Sequence, residues 1–78
     1  MIISVTQKHI DDGLRGNCSK DPIALSLLDA GFKKVWVSPD ALRLDDKVYE
    51  MPGIVAVFIR DFDNTRFVDP FEWELEEE

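Results

Sequence analysis

The chain has 78 residues, a net charge of −7 and 45% hydrophobic residues. A chain of this length forms one small domain, and its apolar content supplies a packed core, which argues against a disordered protein. The composition has no excess of the basic residues that neutralise phosphates, so direct binding to nucleic acid is not expected.

The negative charge is concentrated at the C-terminal end. Residues 69–78 contain six acids and no base: Asp69, Glu72, Glu74, Glu76, Glu77 and Glu78. The other 68 residues contain ten acids and nine bases. We expect residues 1–78 to form a single domain in which residues 76–78 are a frayed acidic C-terminus.

No apolar run approaches the roughly 20 residues that a membrane-spanning helix needs. Residues 1–6 have neither the basic nor the long apolar region of a secretory signal. Cys18 is the single cysteine of the chain, so no internal disulfide can form, as is usual in a reducing compartment. These features predict a cytoplasmic protein.

The first half of the chain predicts one strand and two helices. Residues 1–6 alternate as a strand does, and Thr6 is a suitable N-cap for a short helix over residues 7–12. After a glycine-containing loop, Asp21 and Pro22 begin the clearest helix, and Gly31 lies just beyond its end. The apolar residues of this helix cover most of its circumference, which predicts burial on more than one side.

The second half predicts further strands and one ambiguous segment. Residues 33–37 form a short strand, and residues 41–51 form an extended segment broken near Asp45-Asp46. Residues 52–64 fit a helix with one apolar face, which we favour over a buried strand. Residues 66–75 end as a strand with Phe71, Trp73 and Leu75 inward. The predicted fold is α+β: a small antiparallel sheet of three to four strands packed with two to three short helices.

The segment Asp61-Phe62-Asp63-Asn64-Thr65 resembles the first motif of the haloacid-dehalogenase phosphatases, in which one Asp is the nucleophile and the second is the acid/base. That family needs a large α/β domain downstream, whereas thirteen residues follow Thr65 here. We therefore interpret the segment as a helix end that runs into a polar turn. The sequence predicts a protein that is not an enzyme.

Two further groups of residues suggest metal or thiol chemistry. His9 and Asp12 share a helix face while Asp11 does not, and two ligands are too few for zinc, so a solvated helix is the favoured interpretation. Cys18 has no activating base near it in the sequence, so we interpret it as a structural thiol. No metal or cofactor is predicted.

The loop from Gly13 to Asn17 offers an alternative as an anion-binding concavity, because glycine permits close backbone approach and arginine offers a fork of donors. A simple connection between helices is the favoured interpretation of this loop. The polar anchors of an anionic small molecule would be Arg15, Asn17, Arg60 and Arg66.

Glu72, Glu74 and Glu76 form a row on one face of the last predicted strand. Alternate strand residues lie about 6.8 Å apart, close to two base-pair rises, so the row imitates the spacing of nucleic-acid phosphates. A solvated strand face that prevents edge-to-edge aggregation is the more ordinary interpretation. Trp36 or Trp73, if exposed, would anchor a protein interface beside this row.

The pattern Val5-Thr6-x-x-His9-Ile10-x-x-Gly13, then Cys18, then Pro22-Ile23-Ala24-Leu25-Ser26-Leu27 resembles short hypothetical proteins of phages and bacteria. The C-terminal Phe62-Asp63 and Val68-Asp69-Pro70-Phe71 segments fit the same group. Those proteins often carry a second Cys where this chain has Asp21. The resemblance implies a phage or mobile-element accessory protein.

These observations favour a small acidic binding protein that inhibits or modulates a host protein, such as a defence protein, by direct contact with a basic groove on that partner. The alternative is a homo-oligomer that sequesters an anionic small molecule such as a nucleotide signal. Neither hypothesis involves a membrane.

Overall fold

Helices and strands are interspersed along residues 1–76, which are the residues that the computed structural model describes. In chain order they are β1 (Ile2–Val5), α1 (Gln7–Asp12), α2 (Pro22–Asp29), β2 (Val35–Val37), β3 (Ala41–Leu44), β4 (Lys47–Glu50), α3 (Gly53–Asp63) and β5 (Phe71–Glu74). The predicted α+β class is confirmed. Glu77 and Glu78 of the predicted acidic end lie outside the described residues.

The first two helices begin at the predicted caps. The Thr6 hydroxyl accepts from the His9 backbone N–H at 3.3 Å, and the His9 ring Nδ1 accepts from the Thr6 backbone N–H at 3.0 Å. Asp21 accepts from the Ala24 backbone N–H at 2.7 Å, and Pro22 occupies the first turn of α2, where no backbone donor is needed. Side-chain acceptors thus satisfy N–H groups that a helix start leaves free.

The ambiguous segment after Pro52 is a helix, as favoured from the sequence. Its buried residues Val55, Phe58 and Phe62 are spaced three and four apart, so they share one face of α3. The helix ends at Asp63 and leads into a turn in which Thr65 has a positive φ of 61°. The phosphatase-like segment is therefore a helix end, as interpreted.

The strands divide between two antiparallel sheets. β1 pairs with β5, and β2, β3 and β4 form a three-stranded sheet in that order. The extended segment over residues 41–51 becomes two strands because the chain reverses at Asp45, which has a positive φ of 56°. The last strand is shorter than predicted, since Pro70 lacks the N–H that a sheet ladder requires.

One hydrophobic core joins both sheets to the helices. α2 packs against α1, β1 and β2, which places it between the two sheets and confirms its burial on more than one side. Side chains that are almost fully buried come from every sheet and from two helices: Ile3, Val5, Ile23, Leu27, Leu42, Leu44 and Val55. Within residues 1–76 no helix is long and apolar enough to cross a membrane.

Candidate functional site

The predicted acidic row is set by the alternation of β5. Trp73 and Leu75 are buried, so Glu72 and Glu74 lie on the solvent face, and exposed Glu76 follows just past the strand. Glu72 accepts from the Ser4 hydroxyl at 2.9 Å, and Glu74 lies 3.5 Å from the Met1 ammonium. The row therefore begins against β1 and runs out beyond the sheet.

An open groove of about 750 Å³ lies beside the end of this row. We call it the acidic groove, because Glu50, Glu74 and Glu76 line it with a single base, Lys47. β4 supplies one side of the groove, and residues 74–76 supply another. Its remaining lining residues are Val48, Tyr49, Met51, Pro52, Gly53 and Leu75.

The groove follows a free edge of the three-stranded sheet. β4 pairs with β3 on one side, and among the described residues its backbone makes no further hydrogen bond. The outer edge of β2 differs, because the Val37 N–H donates to the Cys18 carbonyl at 2.9 Å. β4 is thus the edge with backbone donors and acceptors left for an added strand.

Trp73 does not meet the condition set for an interface anchor. It is 4% exposed and lies in the core, opposite Ile3 across the β1–β5 pair. The alternation that turns the glutamates outward turns this indole inward, so no partner can reach it.

Trp36 is exposed, but the structure separates it from the acidic row. Its side chain is 52% exposed on the solvent face of the three-stranded sheet. Trp36 pairs with Arg43, and Arg43 pairs with Val48, so the three residues form a row across that face. Trp36 therefore lies two strands away from β4 and does not line the acidic groove.

Trp36 instead lines a second, open concavity of about 530 Å³, which we call the basic concavity. Four of the nine bases of the chain line it, namely Lys20, Lys33, Lys34 and Arg43. Within residues 1–76, none of these four has a carboxylate oxygen within 4 Å. Leu28, Ser19, Val35 and Asp45 complete the lining. Sequence analysis missed this site.

Asp45 is the one acid of the basic concavity, and it is engaged with the backbone. Its Oδ1 accepts from the N–H groups of Lys33 and Lys34 at 3.0 and 2.9 Å. These bonds, led by the one from Lys34, lower the pKa of Asp45 below its usual value. The carboxylate ties the β3–β4 turn to the start of β2 and fixes the backbone of the two lysines.

The alternative ligand residues in the Gly13–Asn17 loop make hydrogen bonds to other residues of the chain. Arg15 donates from Nε to the Phe62 carbonyl at 3.1 Å, and its guanidinium lies 5.1 Å from the Phe62 ring centroid. Asn17 accepts from the Ser19 N–H at 3.1 Å. The Gly16 N–H donates to Asp63 at 3.0 Å, so the loop holds a carboxylate of its own chain.

The other two alternative anchors, Arg60 and Arg66, form ion pairs with one acid. Arg60 and Arg66 are 3.4 and 3.6 Å from the same Asp61 carboxylate oxygen. Arg15, Arg60 and Arg66 are thus each engaged with Asp61 or Phe62 of α3. None of the four predicted anchors lines the acidic groove.

His9 differs from the predicted solvated helix. It is 7% exposed, its Nδ1 caps α1, and its Nε2 lies 2.5 Å from Asp29. Because Nδ1 accepts from a backbone N–H, Nε2 is the ring nitrogen that donates to Asp29. Asp11 and Asp12 are exposed, as expected. No group of three or more metal-ligating side chains occurs within the described residues.

Asp21 is a buried helix cap at the start of α2. Burial raises its pKa to about 6 against the lowering effect of the Ala24 N–H, and nearby Asp63 adds to the rise. Cys18 is half-buried and free. The position before Pro22 thus serves the start of α2.

Comparisons with protein-family models, curated proteins and solved structures found no match.

Proposed function

We propose that the protein is a non-enzymatic binding module whose acidic groove holds a basic, extended segment of another protein. The observation that supports this most directly is the position of Glu50, Glu74 and Glu76 along the free edge of β4. In the phage or mobile-element context that the resemblance suggests, the partner is a host protein that is inhibited or modulated by this contact.

A free strand edge and an acidic lining favour the same kind of partner. An extended segment can add to a sheet edge through main-chain hydrogen bonds, which supply affinity without reading sequence. Three acids against one base then favour lysine and arginine side chains on that segment. Alternate side chains of an added strand lie about 6.8 Å apart, as do Glu74 and Glu76 when both are extended.

Two apolar side chains beside the acids supply contact area. Val48 is 67% exposed on β4, and neighbouring Tyr49 is half-buried. A bound segment that covers Val48 and the exposed part of Tyr49 would remove apolar surface from water. We expect a partner segment that alternates basic and apolar residues.

The test uses the full chain labelled with ¹⁵N and a short peptide that alternates lysine and valine. Added peptide should shift the amide resonances of Lys47–Glu50 and of residues 74–76, and high salt should weaken its binding. A peptide that alternates glutamate and valine is the matched control, and it should leave these resonances unchanged.

A double variant tests the charge term. Exposed ion pairs contribute about 0.2–1 kcal/mol each, so Glu74→Gln with Glu76→Gln should weaken binding of the lysine peptide by about 2-fold to 30-fold. Asp11→Asn with Asp40→Asn removes the same charge from exposed sites outside the groove and should preserve affinity. Equal loss in both variants, or shifts that avoid β4, would refute this proposal.

A further inference from the structure

We propose that the basic concavity is a binding site for a free nucleotide, with the base stacked on Trp36 and the phosphates held by Lys20, Lys33, Lys34 and Arg43. This site is separate from the acidic groove and would take a ligand of the opposite charge. It also differs from the ligand set predicted from the sequence, since it contains none of Arg15, Asn17, Arg60 and Arg66.

The charges of the concavity favour an anion despite the acidity of the whole chain. Four bases and one acid line it. Several ion pairs of the fold involve bases outside the concavity. Lys8 pairs with Asp12, and Arg60 and Arg66 both pair with Asp61. A phosphate could therefore bind the bases of the concavity without breaking any ion pair found within residues 1–76.

The glutamates of the acidic groove should repel a phosphate in the basic concavity only weakly. β2 and β4 are the opposite edges of the three-stranded sheet, about 10 Å apart at two strand spacings. The Debye length at physiological salt is about 8 Å, so the glutamates beside β4 are largely screened from a phosphate near β2. A long polyanion would extend toward those glutamates, whereas one nucleotide would not.

Trp36 adds a requirement for an aromatic group. The Trp36 indole is 52% exposed on a sheet face, so much of its apolar surface contacts water. A nucleobase stacked on the indole would remove that surface from water. Stacking of a base on an aromatic side chain contributes enough to lower affinity about tenfold or more when the side chain is removed. The combination of indole and unpaired bases distinguishes a nucleotide from a simple inorganic anion.

The size and anchoring of the concavity also fit a small ligand. Its volume of about 530 Å³ falls within the range of about 300–1,000 Å³ that is usual for small-molecule sites. Asp45 holds the Lys33 and Lys34 backbone N–H groups at 3.0 and 2.9 Å. The backbone of two of the four bases is therefore already ordered before a ligand arrives.

The experiment follows Trp fluorescence and calorimetry of the full chain while a nucleoside triphosphate is added. Trp36 should be quenched as the base stacks, while buried Trp73 provides an emission background that does not change. The nucleoside without phosphates and inorganic triphosphate, added separately, should each bind at least about tenfold more weakly than the nucleotide.

Three variants separate the parts of the site. Trp36→Leu should weaken nucleotide binding about tenfold and leave binding of inorganic triphosphate unchanged. Lys33→Gln with Lys34→Gln should weaken both ligands. Lys8→Gln is the matched control, because Lys8 is an exposed lysine on α1 that lines neither the basic concavity nor the acidic groove. Melting curves of each variant check that it remains folded.

Other results would overturn the assignment. Absence of heat and quenching with every nucleotide tested would exclude the site. Equal affinity for inorganic triphosphate and nucleotide would exclude stacking on Trp36. A short single-stranded oligonucleotide that binds more tightly than the free nucleotide would move the same chemistry to a nucleic-acid strand and contradict the free-ligand proposal.

Discussion

The acidic groove and the basic concavity lie beside opposite edges of one three-stranded sheet, and they arise from different kinds of sequence. Two of the three acids of the groove, Glu74 and Glu76, come from a single acidic stretch. The bases of the concavity are spread over residues 20–43 and meet only when α2, β2 and β3 pack. A run of like charges can be seen directly in the sequence. A cluster of bases that forms only when distant segments pack together cannot be seen there, and the net charge of −7 gives no sign of it.

The two sheet edges beside these regions also differ in their backbone hydrogen bonding. The β4 edge is free among the described residues, while the outer edge of β2 is tied to Cys18 through the Val37 N–H. A free edge favours the addition of an extended protein segment. The outer edge of β2 is less suited to such an addition, because its Val37 N–H is already bonded. The same sheet thus supports two surfaces with different expected partners.

The largest expected effect comes from breaking the sheet that both regions share. Leu42 is fully buried on the central strand β3, and Leu42→Ala should lower the free energy of unfolding by about 2–5 kcal/mol. A domain of this size has a total of only about 4–12 kcal/mol, so both surfaces should become unstable together. Chemical denaturation followed by circular dichroism measures the change.

Val48→Ala is the control for that substitution. Val48 lies on the neighbouring strand but is 67% exposed, so its truncation should change the free energy of unfolding by less than about 0.5 kcal/mol. A similar loss in both variants would contradict the core position of Leu42.

A buried acid next to the basic concavity gives the second effect. Asp21 follows Lys20, and burial raises its pKa to about 6 from 3.8. The folded state therefore binds a proton more tightly than the unfolded state, so the contribution of Asp21 to stability improves as pH falls from 7 to 4. Asp21→Asn removes the buried charge and should raise the free energy of unfolding at pH 7 by about 1–3 kcal/mol.

The Asp21→Asn variant keeps the helix cap, so it measures the effect of the buried charge separately from the effect of the cap hydrogen bond. Its amide oxygen can still accept from the Ala24 N–H, whereas Asp21→Ala loses that bond and should be about 1 kcal/mol less stable than Asp21→Asn. Unfolding is measured across pH 4 to 7. A constant difference between wild type and Asp21→Asn over this interval would show that Asp21 does not titrate differently on folding.

Much of the fold was predictable because its signals are local. The caps at Thr6 and Asp21 and the alternation of residues 71–75 depend on neighbours in the chain, and each appears in the structure. The division into two sheets and the row of Trp36 with Arg43 depend on pairing between distant residues. Period and composition carry no information about such pairing, so the basic concavity was not predicted.

His9 and Trp73 show the same limit for single side chains. His9 is polar and lies on a short helix, but contact with Asp29, twenty residues away, makes it part of the interior. The alternation of β5 predicts that Trp73 points inward, whereas a role as interface anchor requires that it be exposed; its 4% exposure decides between these alternatives. In each case tertiary contacts determine whether the side chain is accessible.

The smallest expected effect comes from Asp45, the acid inside the basic concavity. The backbone N–H groups of Lys34 and Lys33 lower its pKa, so Asp45 contributes stability above the unfolded value of 3.8 and loses that contribution as pH falls through the lower folded value. This direction is opposite to that of Asp21. Asp45→Gly should lower the melting temperature slightly at pH 7, and the difference from wild type should shrink at acid pH.

Glycine is the informative replacement because Asp45 has a φ of 56°, which glycine adopts without strain. Asp45→Asn is the companion variant, since its amide oxygen can accept from the same two N–H groups and asparagine tolerates this φ. It should melt between wild type and Asp45→Gly. If both variants melt with the wild type at pH 7, the bonds to Lys33 and Lys34 do not stabilise the turn, and the lysines of the basic concavity are not fixed by it. If they melt in the expected order, the Asp45 carboxylate stabilises the backbone beside the basic concavity even though its charge opposes an anion.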